Sequence, residues 1–172
     1  MKRIPIDIID SQLVSVGMSH AIINAAQEAR EGHSLEEIKA HVLDELSRTR
    51  ILAVLDTLEF VKRGGRVGGA RAFLGNMLSV KPIISLSKGE VIGLEQPRTR
   101  NKAYARVAQL LSQMGKPEAI SLAQSSDEVG QQMVEALKSI YQGEILRYKL
   151  GAVLGTHTGP GTAAVAVVTA RK

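Results

Sequence analysis

Residues 56–90 read DTLEFVKRGGRVGGARAFLGNMLSVKPIISLSKGE. Thr57 to Val61 carries a short helical pattern that Gly64 ends. A second helix is predicted around Ala70 to Leu78. The apolar runs Val80–Leu86, with Lys81-Pro82 at its start, and Val91–Leu94 flank Ser87-Lys88-Gly89-Glu90, a hairpin signature. Glycine is required where φ is positive or where the backbone closely approaches another group. The pairs Gly64-Gly65 and Gly68-Gly69 therefore mark turns or close contacts. Lys62, Arg63, Arg66 and Arg71 surround them, which implies either an anionic neighbour or a solvated basic loop. Helices and a hairpin within one stretch indicate an α/β fold.

The flanking sequence extends that pattern. Ile4 to Ile9 reads as a short strand, with Pro5 placing it at an edge or a strand start. Met18, Ile22, Ala25, Ala26 and Ala29 have helical spacing over 17–31, and Gly32 suits the C-terminal cap. Ser34 and Glu37 form a capping box for a helix whose apolar face is Leu35, Ile38, Val42, Leu43 and Leu46. Ile51 to Leu55 is a continuous apolar run, predicted as a buried strand. On the C-terminal side, Thr99 caps a helix over 100–114 that Gly115 and Pro117 end. Ala119–Ala123 is a strand, and Ser126 caps a helix over 127–141 with Asp127 and Glu128 at its positive end. Ile145–Tyr148 and Ala163–Thr169 are strands. Leu150–Leu154 fits a strand or a short helix. A joint falls near Arg48–Arg50.

The chain has 172 residues, of which 44% are hydrophobic, enough for one domain or two small ones. No apolar run reaches the roughly 18 residues of a membrane helix. No secretory leader pattern is visible, and there is no cysteine for a disulfide or a thiolate metal site. We therefore expect a cytoplasmic protein without stable membrane insertion. The net charge is +5, which suits an anionic ligand or partner. Two Phe, three Tyr and no Trp are poor material for stacking on bases, so nucleic acid is not the expected partner. Neither a phosphate-binding Gly-x-x-x-x-Gly-Lys loop nor a dinucleotide Gly-x-Gly-x-x-Gly occurs. No Gly-x-Ser-x-Gly elbow and no second histidine at zinc spacing are present. We expect no catalytic residue, no cofactor, no metal and no enzymatic activity.

The second site-like stretch is Gly155-Thr156-His157-Thr158-Gly159-Pro160-Gly161. Its glycines strip bulk from around His157, and nearby amides can join the imidazole in donating to an anion. A structural histidine in a glycine turn explains the residues equally well. His20, His33 and His41 fall on helices, where a solvated face is expected. Phe60, Phe73, Leu74, Met77, Leu78 and Ile83 have the spacing of an acyl tunnel or, more commonly, of plain core. Arg98-Thr99 follows Pro97 at a helix start, where a cation is unfavourable to the helix dipole.

Five motifs, IIDSQLVSVGM, FVKRGGRV, FLGNMLSVKPIISLSKGEV, PRTRNKA and GTHTGPGT, stand in an order that resembles the DegV family of bacterial fatty-acid-binding proteins. They span nearly the whole chain. The resemblance implies a DegV-like C-terminal α/β domain over 49–172, preceded by a strand-helix-helix remnant of an N-terminal α/β domain over 1–48. It implies ligand contacts at His157, Thr158, Gly159, Gly161, Phe73 and Ile83, with His157 on the lipid carboxylate. It places Arg98 and Thr99 where a fatty acid kinase subunit docks. The implied partners are a long-chain fatty acid and that kinase, to which the carrier presents the carboxylate. The family's Thr-Asp-Ser strand end and Ser-Ser-Gly-Leu-Ser-Gly loop, whose hydroxyls help hold the carboxylate, do not occur here. The alternative expectation is a truncated structural or regulatory fragment that binds no lipid by itself. Residues 1–48 are expected either to self-associate or to be mobile, while residues 49–172 stay folded.

Overall fold

In the C-terminal run Ala163–Thr169, AAVAVVT, the larger residues Val165 and Val167 alternate with Ala164 and Ala166. Successive side chains of a strand point to opposite faces, so this strand puts bulk on one face and leaves the other shallow. The computed structural model, which describes residues 4–76 and 79–171, places this strand at the centre of a six-stranded sheet. The assignments at Met77 and Leu78, and the side chain of Leu74, lie outside the described residues.

The elements in order are α1 (Val16–Glu31), α2 (Leu35–Arg48), β1 (Thr49–Val54), α3 (Glu59–Arg63), a 3₁₀ segment (Gly68–Asn76), β2 (Ile83–Ser87) and β3 (Glu90–Glu95). Then follow α4 (Arg100–Met114), β4 (Pro117–Gln124), α5 (Asp127–Leu137), β5 (Ile145–Lys149), α6 (Ala152–Thr158) and β6 (Ala163–Thr169). The strand order is β3-β2-β1-β6-β4-β5. Every neighbouring pair is antiparallel except β4 with β5. The β2–β3 hairpin turns through Lys88 (φ 50°) and Gly89 (φ 77°), the two positive φ values of a tight primed turn.

One face of the sheet is sealed. Leu52, Val54, Ile83, Ile120, Leu122, Val165 and Val167 form a buried cluster with Tyr104, Val107 and Leu111 of α4 and Met133 and Leu137 of α5. The opposite face is divided. Val16 at the start of α1 covers Ile51, Ala123 and Ala166. Leu58, Val61, Val67 and Ala70, from α3, the 3₁₀ segment and the residues just before each, cover Ala53 and Ile84.

Helix starts behave as their capping residues dictate. The Ser34–Glu37 capping box is present in full, and Thr99 and Ser126 accept from the amides of Lys102 and Val129. Gly32 takes the left-handed conformation that ends α1. Helix α2 runs straight into β1, with Thr49 as both its cap and the first strand residue.

Five expectations are corrected. Residues 4–10 form no strand, and Ile4, Ile6 and Ile8 are 81–89% exposed. No ladder partner lies beside them among the described residues, and an apolar run becomes a strand only where its amides are paired. In α1 the buried positions are Val16, Gly17 and Ala21, while Ile22 is exposed. In α2 Leu43 is exposed and the most buried residue is Glu45. Helix α1 lies over the inner strands β6 and β4 while α2 packs mainly on α1, so their apolar faces are only partly used. The segment 70–78 is 3₁₀ rather than α-helical as far as Asn76, and the helix after Ser126 stops at Leu137.

Candidate functional site

The shallow face of the sheet leaves room. Ala53 pairs with Ala164, which in turn pairs with Ala123, so three adjacent strands present only methyl groups there. A cavity of about 350 Å³ lies above Ala53 and Ala164, bounded also by Ile51 and Ile84 of the sheet, while Ala123 is covered by Val16. Val61 and Arg66 come from α3 and the turn after it. Leu86, Gly89 and Val91 come from the hairpin, and Val153, Leu154, His157 and Thr158 from α6. The lining is mainly aliphatic, with the imidazole and the guanidinium as its ionisable groups, which is the make-up of a site for an apolar ligand with one polar end.

His157 stands in the last turn of α6, not in a glycine turn. The uncertain segment Leu150–Leu154 resolves as the start of this helix, which begins at Ala152. The glycine that makes room for the imidazole is Gly64, on another element. A Cβ at Gly64 would overlap Nδ1 of His157 and lie 2.9 Å from its Cε1. Nδ1 is buried without a hydrogen-bond partner among the described residues. The packing is reciprocal, because Gly159 (φ 77°) faces the ring of Phe60, 2.6 Å from Cε2 to a Cβ built there. Thus α3 and α6 lock together by two rings seated on two glycines. Thr158 borders the cavity and donates its hydroxyl to the carbonyl of Leu154 at 3.0 Å.

Gly161 has φ 75°, and its Cα faces the carboxylate of Asp56. Asp56 accepts from Arg100 Nη2 at 2.8 and 2.9 Å and from Lys81 Nζ at 2.9 Å. Burial alone would raise this carboxyl. The hydrogen bonds and charges of Arg100 and Lys81 outweigh it and hold the carboxyl below its usual value. Burial pushes the neighbouring Tyr104 phenol up to about 12. This cluster joins the ends of β1 and α4 to the loop that carries α6 into β6.

Of the residues expected at a ligand site, the structure brings His157 and Thr158 to the cavity together. Gly159 and Gly161 sit beside it, packed on Phe60 and Asp56. Phe73 packs against Gly93 in the cluster that contains Ile84 and Val91. Ile83 is corrected to core: it points to the sealed face and is fully buried there. Arg98 and Thr99 are exposed, on the loop leading into α4. Sequence reasoning missed the alanine floor and Arg66 as a lining residue. Their signal was the large-small alternation of AAVAVVT and the position of Arg66 directly after the glycine pair that receives His157.

A second, polar cavity of about 410 Å³ lies between α1, α2 and the sheet, near His20, Glu28, His41 and Glu45. His20 is not on a solvated face, since its Nε2 lies 2.7 Å from Ser121 Oγ in the sheet. Nδ1 of His41 lies 2.8 Å from the Glu28 carboxylate, and Asn24 donates to Glu45. Its lining mixes these polar and charged groups with Ala21, Ala25, Val42, Ala119 and Val168, and so suits an acyl chain less well than the aliphatic cavity does.

Fold and cavity together define a mixed-sheet α/β protein with an aliphatic chamber edged by an imidazole and a guanidinium. A family model described as an uncharacterised protein of the DegV family matches residues 1–170. The chain belongs to the DegV family. A DegV domain-containing protein of Clostridium acetobutylicum is 31% identical over 98% of this chain and 60% of its own length. Protein DegV of Bacillus subtilis is 32% identical over 88% of this chain and 56% of its own. A DegV family protein from Thermus thermophilus, described by its fatty-acid binding, superposes with a TM-score of 0.84 at 32% identity, covering 95% of this chain and 61% of that one. A DegV family protein of Corynebacterium glutamicum, 24% identical, shares the fold with a TM-score of 0.86 over 96% of this chain and 65% of that one. The chain thus spans about 60% of the length of the curated relatives it matches. Among the described residues, no helix is long and apolar enough to cross a membrane.

Proposed function

We propose that this chain holds a long-chain fatty acid in the aliphatic chamber and presents its carboxylate to a fatty acid kinase. The observation that carries the reading is the chamber itself: an alanine floor, aliphatic walls, and His157 and Arg66 on its lining. The Thermus relative that binds fatty acid supports it. Burying about fourteen methylenes at roughly 0.8 kcal/mol each supplies on the order of 11 kcal/mol gross. Desolvating the carboxylate costs several kcal/mol unless donors replace its water. His157 supplies a hydrogen bond and Arg66 a counter-charge. The phosphoryl chemistry belongs to the partner, and Arg98 and Thr99 on the α4 loop are proposed as its docking point. Lipid extraction and mass spectrometry of the purified chain test the binding. A long-chain fatty acid near one per chain is expected, and a lipid-free protein that takes none up on incubation would reject the reading.

One set of observations favours a second reading, a structural or regulatory role in which the chain binds no lipid by itself. Ile4, Ile6 and Ile8 are more than 80% exposed, and Ile22 and Leu43 add apolar surface on α1 and α2. Exposed apolar surface on this scale marks association. We infer that residues 1–48 form a unit distinct from 49–172 and self-associate through that surface. Light scattering beside hydrogen exchange tests it. A monodisperse monomer in which Ile4–Ile9 is as protected as Ile51–Leu55 would overturn it.

A further inference from the structure

We propose that Gly64 is the positioning residue for His157, holding the imidazole so that Nε2 alone is left for a ligand. The two glycines of the Gly64-Gly65 pair differ in kind. Gly65 has φ +68° with nothing within 4 Å of a Cβ built on it, so it serves the turn. Gly64 has φ −76° and ψ 1°, a conformation open to any residue. Its backbone bond, from its amide to Phe60 O at 2.8 Å, would survive a side chain. The backbone therefore does not require glycine at position 64. His157 does: a Cβ there would fall inside the contact shell of Nδ1, 2.9 Å from Cε1 and 3.2 Å from Cγ.

The consequence is chemical. Nδ1 is buried against Gly64 and finds no hydrogen-bond partner among the described residues. In the neutral ring one nitrogen carries the proton and the other the lone pair. Nδ1 faces a Cα–H of Gly64, which can give a lone pair a weak hydrogen bond but leaves an N–H with no acceptor. The proton therefore sits on Nε2, and His157 meets its ligand as a donor. That is the role a carboxylate needs, so this inference rests on the fatty-acid reading for its purpose but not for its geometry.

The tests separate the two. In the ligand-free chain, ¹⁵N spectra of the His157 ring are expected to show the Nε2–H tautomer. Gly64→Ala is expected to displace the ring and mix the tautomers, and to weaken fatty-acid binding by roughly tenfold or more, the loss of one hydrogen bond to a charged group. A Gly64→Ala chain with the wild-type tautomer signal would overturn the proposal, whatever its affinity. Should Gly64→Ala fold poorly, the His157→Ala background decides. There the obstacle is gone, and Gly64→Ala is expected to melt no lower than His157→Ala alone. A lower melting point would show that the backbone needs Gly64, and the proposal would fall. If His157→Ala binds fatty acid like the wild type while the tautomer result holds, the carboxylate assignment fails and the positioning role stands.

Discussion

The two faces of the sheet are built from the same strands and do opposite things. The face under α4 and α5 carries Leu52, Ile120, Leu122, Val165 and Val167, all fully buried and packed into one cluster. The face under α1, α3 and α6 carries Ala53, Ala123, Ala164 and Ala166, and there the coverage parts around a chamber. Alternation at single-residue spacing lets one strand serve both. The sealed face supplies the stability and the shallow face supplies the space, so a change on one should register in a different measurement from a change on the other.

The largest effect tests that division directly. Leu122→Ala on the sealed face should cost about 2–5 kcal/mol of stability in urea unfolding, the usual range for a buried leucine, with the lipid content of the surviving native protein unchanged. Ala164→Leu on the shallow face should cost less stability than Leu122→Ala but empty the chamber of lipid in the extraction assay. A loss of stability from Ala164→Leu as large as that from Leu122→Ala would mean that the chamber is part of the packed core.

Next comes the polar edge of the chamber. His157→Ala should weaken fatty-acid binding by roughly 1.5–3 kcal/mol, the worth of a hydrogen bond to a charged group. His33→Ala, an exposed residue between α1 and α2, should change nothing in the same calorimetric titration. Equal affinities of the two variants would remove His157 from the carboxylate.

The bracket behind α6 responds to pH. The Asp56 carboxyl is held below its usual value by Arg100 and Lys81 against the opposing effect of burial. A depressed carboxyl stabilises the fold fully above its unfolded value, near pH 4, and that contribution disappears as pH falls through the lower folded value. Asp56→Asn should therefore be less stable than the wild type at pH 7, with the gap closing on acidification. A gap that widens toward low pH would contradict the ion-pair account. The smallest effect on binding is expected at Arg98, exposed on the α4 loop. Arg98→Ala should leave lipid affinity nearly unchanged and impair transfer to a kinase partner. A binding defect as large as that of His157→Ala would place Arg98 in the chamber instead.

Much of this was legible in order along the chain. Capping residues set the starts of α2, α4 and α5 because a cap acts within three residues of itself. The hairpin was readable from Lys88-Gly89 for the same reason. What failed was burial. Ile4–Ile9 has the composition of a strand but no partner to pair with among the described residues, and Met18 and Ile22 have the spacing of a buried face that α1 does not bury. Spacing tells which residues share a face and is silent on what covers it.

The candidate site divides along the same line. The resemblance in GTHTGPGT singled out His157, and the glycines around it suggested a roomy turn. Sequence alone determined that His157, Arg66 and the Gly64-Gly65 pair exist, and that Ala163–Thr169 alternates in size. Only the tertiary structure decided that the space around the imidazole belongs to Gly64, 93 positions upstream by the numbering. It also decided that Gly159 serves Phe60, that Ile83 turns to the sealed face, and that Arg66 reaches the same chamber as His157. The reason is one of range. Caps, turns and alternation are settled by neighbours a few bonds away, whereas a cavity exists only between surfaces that distant segments bring together.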